Sequence, residues 1–243
     1  MTDLTRRTVI GAALATPVLG VVTAGLAAPA YAAGYTWSRT LRQGNSGEDV
    51  RQLQIRVAGR TNSTTRLAID GSFGPATHSA VRNFQSAYGL GVDGVAGPQT
   101  FGRIYDMQSS DNSPRNFTFS EMTGSGQWSG GNTSAATARA NALIVMWQLQ
   151  ALRDAMGNNP LVVTSGFRTI SGNAAVGGST NSRHTYGDAA DLVSPAYSFC
   201  QIARAARSRG FSCILGPGFP GHDDHIHVDR GSTTISAPNC SGF

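Results

Sequence analysis

The sequence predicts an α+β protein in two parts: a small N-terminal three-helix module, then an α+β domain with a short antiparallel sheet. Two observations carry that prediction. An eight-residue pattern recurs between residues 70 and 100, each time at a helix start. Beyond residue 113, amphipathic helical stretches alternate with short apolar runs bounded by Gly and Pro, over some 130 residues. Only 14% of the 243 residues are charged, and Gly, Ser, Thr and Asn are frequent. That composition fits a loop-rich globular protein and excludes a disordered one.

The repeat reads "DGSFGPAT" from Asp70 and "DGVAGPQT" from Asp93, both D-G-x-x-G-P-x-T, offset by 23 residues. Asp-Gly makes a tight turn. Pro75 and Pro98 stand at a first helical position, where a missing N–H costs nothing. Val81, Phe84 and Tyr88 follow the first turn, and Phe101, Ile104 and Tyr105 the second. An earlier helix begins in "NSGEDVRQLQIRVAG", with Ser46 as the expected N-cap and Asp49 three residues on. Val50, Leu53 and Val57 give it an apolar face. Residues 40–106 therefore read as one helical unit.

Residues 106–113 read as a linker, and the aromatic-rich "NFTF" and "QWSGG" open the second part, residues 114–243. Ser134 caps a long helix with Val145, Leu149, Leu152 and Met156 on one face, ended by "GNNP" at 157–160. "LVVTSG", "FSCILG" and "HIHVD" are strand candidates, and "SFCQIARAARSRG" is a helix closed by Gly210.

At the N-terminus, Arg6-Arg7 precede an apolar stretch from Val9 to Ala28 that closes with Ala30-Tyr31-Ala32. The pattern T-R-R-x-V-I matches a twin-arginine export address, and the small-x-small ending a cleavage site. The stretch is also about long enough to span a membrane as a retained anchor. Its interior Gly and Pro and its A-x-A ending favour cleavage. Removing residues 1–32 takes away Asp3, Arg6 and Arg7, so the formal charge falls from +5 to +4. A mildly basic exported protein suits an anionic wall polymer better than nucleic acid, which export places out of reach. Outside the cytoplasm, Cys200, Cys213 and Cys240 allow one disulfide and leave one thiol, with three pairings open. None has the C-x-x-C spacing of a zinc-thiolate site.

The chemistry-bearing residues cluster late in the chain. "GHDDHIHVD", residues 221–229, holds three of the five histidines. "NSRHTYGDAADL" places His184 and Asp191 seven apart, and "TSGFRT" places Arg168 after a strand. Imidazole and carboxylate suit zinc, and a catalytic site needs three protein ligands and an open position. His184 and Asp191 can meet if Gly187 turns the chain between two extended segments. In an extended "DHIHVD", alternation puts His225 and His227 on one face and Asp224 on the other. Spacing alone thus nominates both His225 and His227 as ligands.

Two family resemblances add to this. "LRQGNSGEDVRQLQ" and the segment Asp70 to Gln85 resemble the peptidoglycan-binding domain of bacterial wall hydrolases. "S-x-H-x-x-G-x-A-x-D", Ser182 to Asp191, and "D-H-x-H", Asp224 to His227, resemble the zinc D-alanyl-D-alanine carboxypeptidases and related peptidoglycan peptidases. The "TWS" opening, "SAATARANAL" and "ILGPGFPGH" extend the likeness to the secreted members that carry a binding module. The resemblance implies one Zn²⁺ held by His184, Asp191 and His227, with Asp224 as general base beside the ion. It implies a second catalytic group in His225, and Arg168 as the anchor for the substrate carboxylate. Ser182 is expected to contact substrate or a ligand. It also implies a Cys200–Cys240 disulfide with Cys213 free and buried. Gly34, Asn112 and Gly172 stand where the family's fuller cysteine set would lie.

The implied activity is hydrolysis of the D-Ala-D-Ala end of peptidoglycan stem peptides, and of D,D cross-links whose last residue keeps a free carboxylate. The protein is expected to act as a secreted monomer on peptidoglycan, without nucleic acid or membrane partners after leader removal. The alternatives are an endopeptidase for another bond, such as L-Ala-D-Glu, or a non-catalytic wall-binding zinc protein. A penicillin-sensitive serine enzyme is excluded by the lack of an S-x-x-K motif. His222, Asp223 and Asp188 read as loop or solvated residues, and Asp229 as a partner for Arg230 or a strand end.

Overall fold

The repeat explains the helical part. In the computed structural model, which describes residues 34–243, α1 spans Glu48–Arg56, α2 Pro75–Ala87 and α3 Pro98–Met107. The leader assigned to residues 1–32 lies outside the described residues. Gly71 and Gly94 take the left-handed conformation (φ 75° and 76°) that Asp-Gly turns require. Each turn is clamped by a buried glutamine from the preceding helix. Gln54 donates to Asp70 Oδ1, the Ser72 carbonyl and Thr77 Oγ1, and accepts from the Gly71 N–H. Gln85 repeats the pattern with Asp93 Oδ1, the Val95 carbonyl, Thr100 Oγ1 and the N–H groups of Asp93 and Gly94. The motif's Asp and Thr are therefore the polar ends of a clamp, its Gly is conformational, and Pro75 and Pro98 are the first helical residues. One detail differs from expectation: α1 is preceded by Gly47, with no side-chain cap. Asp49 is drawn away by Arg39, whose Nε lies 2.6 Å from Oδ2.

The second part holds α4 (Ala135–Ala155), α5 (Ile170–Ala175) and α6 (Phe199–Ala206). Its strands are β1 (Val162–Ser165), β2 (Ala189–Val193), β3 (Cys213–Leu215), β4 (Ile226–Asp229) and β5 (Ile235–Ser236). Ser134 caps α4 by accepting from the Thr137 N–H, and Ser198 and Gln201 form a reciprocal capping box on α6. The α+β class holds. The sheet order is β1-β2-β4-β3-β5, antiparallel except at the β3–β5 edge, where the pairing is parallel, so the sheet is mixed rather than wholly antiparallel. Ala190, Leu192, Ile214, Ile226 and Val228 face the core, against Val145, Leu149 and Leu152 of α4 and Ile202 and Ala206 of α6. A disulfide joins Cys200 on α6 to Cys240 near the C-terminus, and Cys213 is free and buried.

Helix α4 serves two cores. While Val145 and Leu149 face the sheet, Ile144 and Trp147 complete the cluster formed by α1–α3. The junction is also polar. Asn112 Oδ1 accepts from the Tyr35 N–H (2.6 Å) and from Arg56 Nη2 (2.7 Å), and its carbonyl accepts from Trp147 Nε1 (3.0 Å). Arg60 reaches Asp154 at 2.7 Å. Among the described residues, no helix is long and apolar enough to cross a membrane.

Replacing either clamp glutamine by leucine strands several buried polar groups at one turn. Gln54→Leu and Gln85→Leu are each expected to lose about 2–3 kcal/mol, read from urea unfolding, with the sheet domain's core residues untouched.

Candidate metal centre

Sheet register builds the site. Asp191 on β2 and His227 on β4 are directly opposed cross-strand partners. With Ile226 and Val228 in the core, alternation turns His227 to the other face. His184 arrives from a 3₁₀ turn, Arg183–Tyr186, rather than from an extended segment. Gly187, with φ 76°, reverses the chain into β2, and a Cβ there would collide with the Ala138 carbonyl. Only glycine meets both demands.

The three side chains meet closely. His184 Nε2 lies 3.1 Å from Asp191 Oδ1 and 3.1 Å from His227 Nδ1, and His227 Nδ1 lies 2.9 Å from Asp191 Oδ1. All three residues are buried. The outer ring nitrogens are both committed. His184 Nδ1–H donates to the Gly166 carbonyl at 2.6 Å, and His227 Nε2–H donates to Asp229 Oδ2 at 3.1 Å. Those bonds fix the tautomers and aim one lone pair of each imidazole at the shared centre. Two imidazoles and one carboxylate are the donor set of a zinc site with a position left open.

Electrostatics agrees with a cation there. Burial raises the Asp191 carboxyl, but the two histidines outweigh it and hold its pKa well below the usual carboxylate range. Burial pushes His227 down, yet the Asp191 and Asp229 carboxylates win and raise it to about 9. Burial lowers His184, only partly offset by Asp191. The centre thus attracts positive charge, and a proton and a metal ion compete for the same atoms. Cys213, His227 and Asp229 form a second close group. Burial, followed by the Asp229 charge, pushes the Cys213 thiol up, so it offers no ready thiolate.

The centre floors an open cleft of about 560 Å³ lined by Arg168, Ser182, His222 and His225, with the loops 176–183 and 219–222 as its sides. Arg168 Nη2 lies 2.5 Å from Asp191 Oδ2, and its Nε donates to Ser165 Oγ at 2.8 Å. Ser182 sits at the cleft wall just before the 3₁₀ turn. His225 lies in a bend before β4, with Nε2 3.6 Å from Asp191 Oδ1. Asp224 is placed differently from the expectation of a base beside the ion. Its carboxylate is 90% exposed, is not among the cleft-lining groups, and accepts from His225 Nδ1 at 2.7 Å. The reason is local: the strand begins only at Ile226, so strand alternation does not govern residues 224 and 225.

The same region bears on three minor readings. Asp223 is exposed, as read, and its Oδ1 also accepts from the Gly218 N–H at 2.7 Å, closing the loop. Asp188 is buried and paired with Arg183, whose Nε donates to it at 2.9 Å. Asp229 ends β4, one of the two alternatives read for it, and supports His227, while Arg230 donates to Gln148 Oε1 at 2.9 Å instead of pairing with it. Strand alternation could have found Asp229, two residues beyond His227 on the same face.

Known proteins match this architecture. Residues 115–229 match the Peptidase M15 family, and residues 46–104 match a peptidoglycan binding domain. A zinc D-Ala-D-Ala carboxypeptidase of Streptomyces albus G is 55% identical over 208 residues, covering 85% of this chain and 82% of that protein. This chain belongs to the M15 peptidases. Solved structures match this M15 peptidase over shorter stretches. A peptidoglycan-binding protein from Clostridioides difficile in complex with glutamine hydroxamate is 40% identical, over 27% of this chain and 39% of that one, with a TM-score of 0.24. A fused Zn-dependent amidase/peptidase/peptidoglycan-binding domain-containing protein from Clostridium acetobutylicum is 32% identical, over 27% and 28%, with a TM-score of 0.24.

His184→Ala is expected to abolish stoichiometric metal retention after dialysis, measured by elemental analysis. Asp229→Asn keeps an acceptor for the Gly231 and Ser232 N–H groups but removes the charge behind His227. It is expected to weaken metal affinity by about 10–100-fold in a chelator-dye competition, with circular dichroism unchanged.

Proposed function

We propose that this chain is a wall-anchored zinc D,D-carboxypeptidase. It hydrolyses the C-terminal D-Ala-D-Ala bond of peptidoglycan stem peptides, with His184, Asp191 and His227 holding the ion. The observation that carries this reading is the buried three-ligand group with mutual separations of 2.9–3.1 Å, set in the floor of an open cleft. When bound, zinc supplies a Lewis acid that makes water acidic near neutral pH and polarises the scissile carbonyl.

The protein's own groups divide the remaining work. His225 gives its Nδ1–H to Asp224, which leaves the Nε2 lone pair facing the centre, placed to take up a proton and, once protonated, to stabilise negative charge on the substrate oxygen. Asp224 fixes that tautomer, and as an exposed carboxylate it exchanges protons with bulk water, so the pair serves as the acid–base unit. Arg168 has five N–H donors in a planar fork. Ser165 and Asp191 engage Nε and Nη2, and the remainder suit the terminal carboxylate of D-Ala. A bond far from a free carboxylate lacks that anchor, which favours release of single D-Ala residues and explains how a D,D cross-link could also serve. Ser182 at the cleft wall contacts the bound peptide.

In this reading residues 40–106 hold the wall polymer and residues 114–243 cut it. Export follows the Arg6-Arg7 leader, and the mature monomer acts outside the cell at the wall.

The decisive assay is D-alanine release from an acyl-D-Ala-D-Ala peptide. Release that stops with chelator and returns with Zn²⁺ is the expected result. Cleavage of intact sacculi without D-alanine release would point to another stem-peptide bond. Asp224→Ala is expected to keep its zinc and lose about 10²–10⁴-fold in kcat. A near-normal rate in that variant, with His225→Ala inactive, would move the proton-handling role to His225 alone.

A further inference from the structure

The helical part carries a groove of about 380 Å³, far from the metal centre in sequence, with Trp37, Phe101 and Tyr105 along its wall and Arg39 at its rim. We propose that this groove binds the glycan strand of the wall polymer, with an uncharged sugar ring packed against the aromatic wall. The proposal rests on the peptidoglycan reading above and names the surface that makes the contact.

Three observations support it. The aromatic wall is continuous and pre-set. Trp37 and Phe101 stack with centroids 4.8 Å apart and planes 5° from parallel, and Tyr105 lies 5.9 Å from Trp37. Trp37 is pinned by its own donors: Nε1–H to the Asp49 carbonyl and the backbone N–H to Tyr105 Oη, both at 2.8 Å. A rigid aromatic wall loses little freedom when a ligand packs against it, and a mostly apolar groove with a few fixed polar groups is the usual form of a small-ligand site.

The second observation is Gly102. It lies inside α3, where glycine costs roughly 1 kcal/mol against alanine. It lines the groove, and its backbone is ordinary helix. A Cβ there would meet nothing within 4 Å. Neither turn geometry nor close packing asks for glycine at this position. What the missing side chain does is keep the groove open.

The third is charge. Arg39 is held by both Asp49 oxygens, with Nε–Oδ2 at 2.6 Å and Nη2–Oδ1 at 3.2 Å, and by the Ser46 carbonyl at 3.0 Å. A paired guanidinium has little field left for a free anion. It is a fixed polar donor, beside the exposed Ser38 and Thr40, suited to hydroxyl and acetamido oxygens. This favours the neutral sugar backbone over the phosphates of other wall polymers and over the carboxylates of the stem peptide.

Gly102→Leu projects into the groove from a position where an added Cβ meets nothing within 4 Å, and Gly102→Ala is its conservative control. Both are to be compared with wild type by pelleting with purified sacculi and with glycan strands stripped of stem peptides, alongside melting temperature and D-alanine release from the soluble peptide. The expected result is that wild type pellets with both materials. Gly102→Leu should lose roughly tenfold or more in affinity, which is about 1.4 kcal/mol. Its melting temperature should not fall, and its soluble turnover should match wild type. A folded Gly102→Leu protein that pellets like wild type overturns the proposal. So does wild-type protein that ignores stripped glycan. Loss of pelleting in Gly102→Leu, with no D-alanine release from any variant, would sustain the groove and count against the catalytic reading instead.

Discussion

Three electron-rich atoms crowd within 3.1 Å of one another in a buried pocket, and only positive charge makes that arrangement tolerable. A carboxylate taken from water costs several kcal/mol unless it is paired. Much of the second part of the fold answers that constraint. The β2–β4 register sets Asp191 against His227, and Gly187 returns His184 to the same point. Behind the ligands, the Gly166 carbonyl and Asp229 hold the two rings in orientation, and Arg168 covers the second oxygen of Asp191.

Local features were the legible part of the chain. Helix starts at Pro75, Pro98 and Ser134 depend on nearest neighbours, so their residues announce them. The site was legible mainly through resemblance. Spacing alone joined His225 to His227, on an extended reading from Asp224, whereas the strand begins two residues later, at Ile226. The two clamp glutamines were invisible, because each acts on a turn 16 or 8 residues away. Strand β2, "AADLV", lacks alternation because it is central and covered on both faces, and β5 is two residues long with a partner far upstream. Asp188 looked solvated because its spacing from Arg183, five residues earlier, does not announce the pair that the 3₁₀ turn closes.

Asn112 is the polar centre of the junction between the two parts: it accepts the N–H of Tyr35 and the Arg56 guanidinium, and its carbonyl holds Trp147. A polar junction thus ties the N-terminal strand of chain, α1 and α4 together. Arg56 is buried there, and desolvation lowers its pKa to about 10.

Because α4 lends Ile144 and Trp147 to the helical core while its opposite side underlies the sheet, the chain has no clean seam at residue 113. Recombination that moved the first 113 residues onto another hydrolase would leave an unfilled hole in the transplanted piece and a bare apolar stripe on the piece left behind. Grafts that carry the chain through Ala155 would keep the helical core filled but bring the sheet-facing side of α4 with them, so exchange between wall enzymes of this build should favour partners whose sheet already packs on an equivalent of this helix.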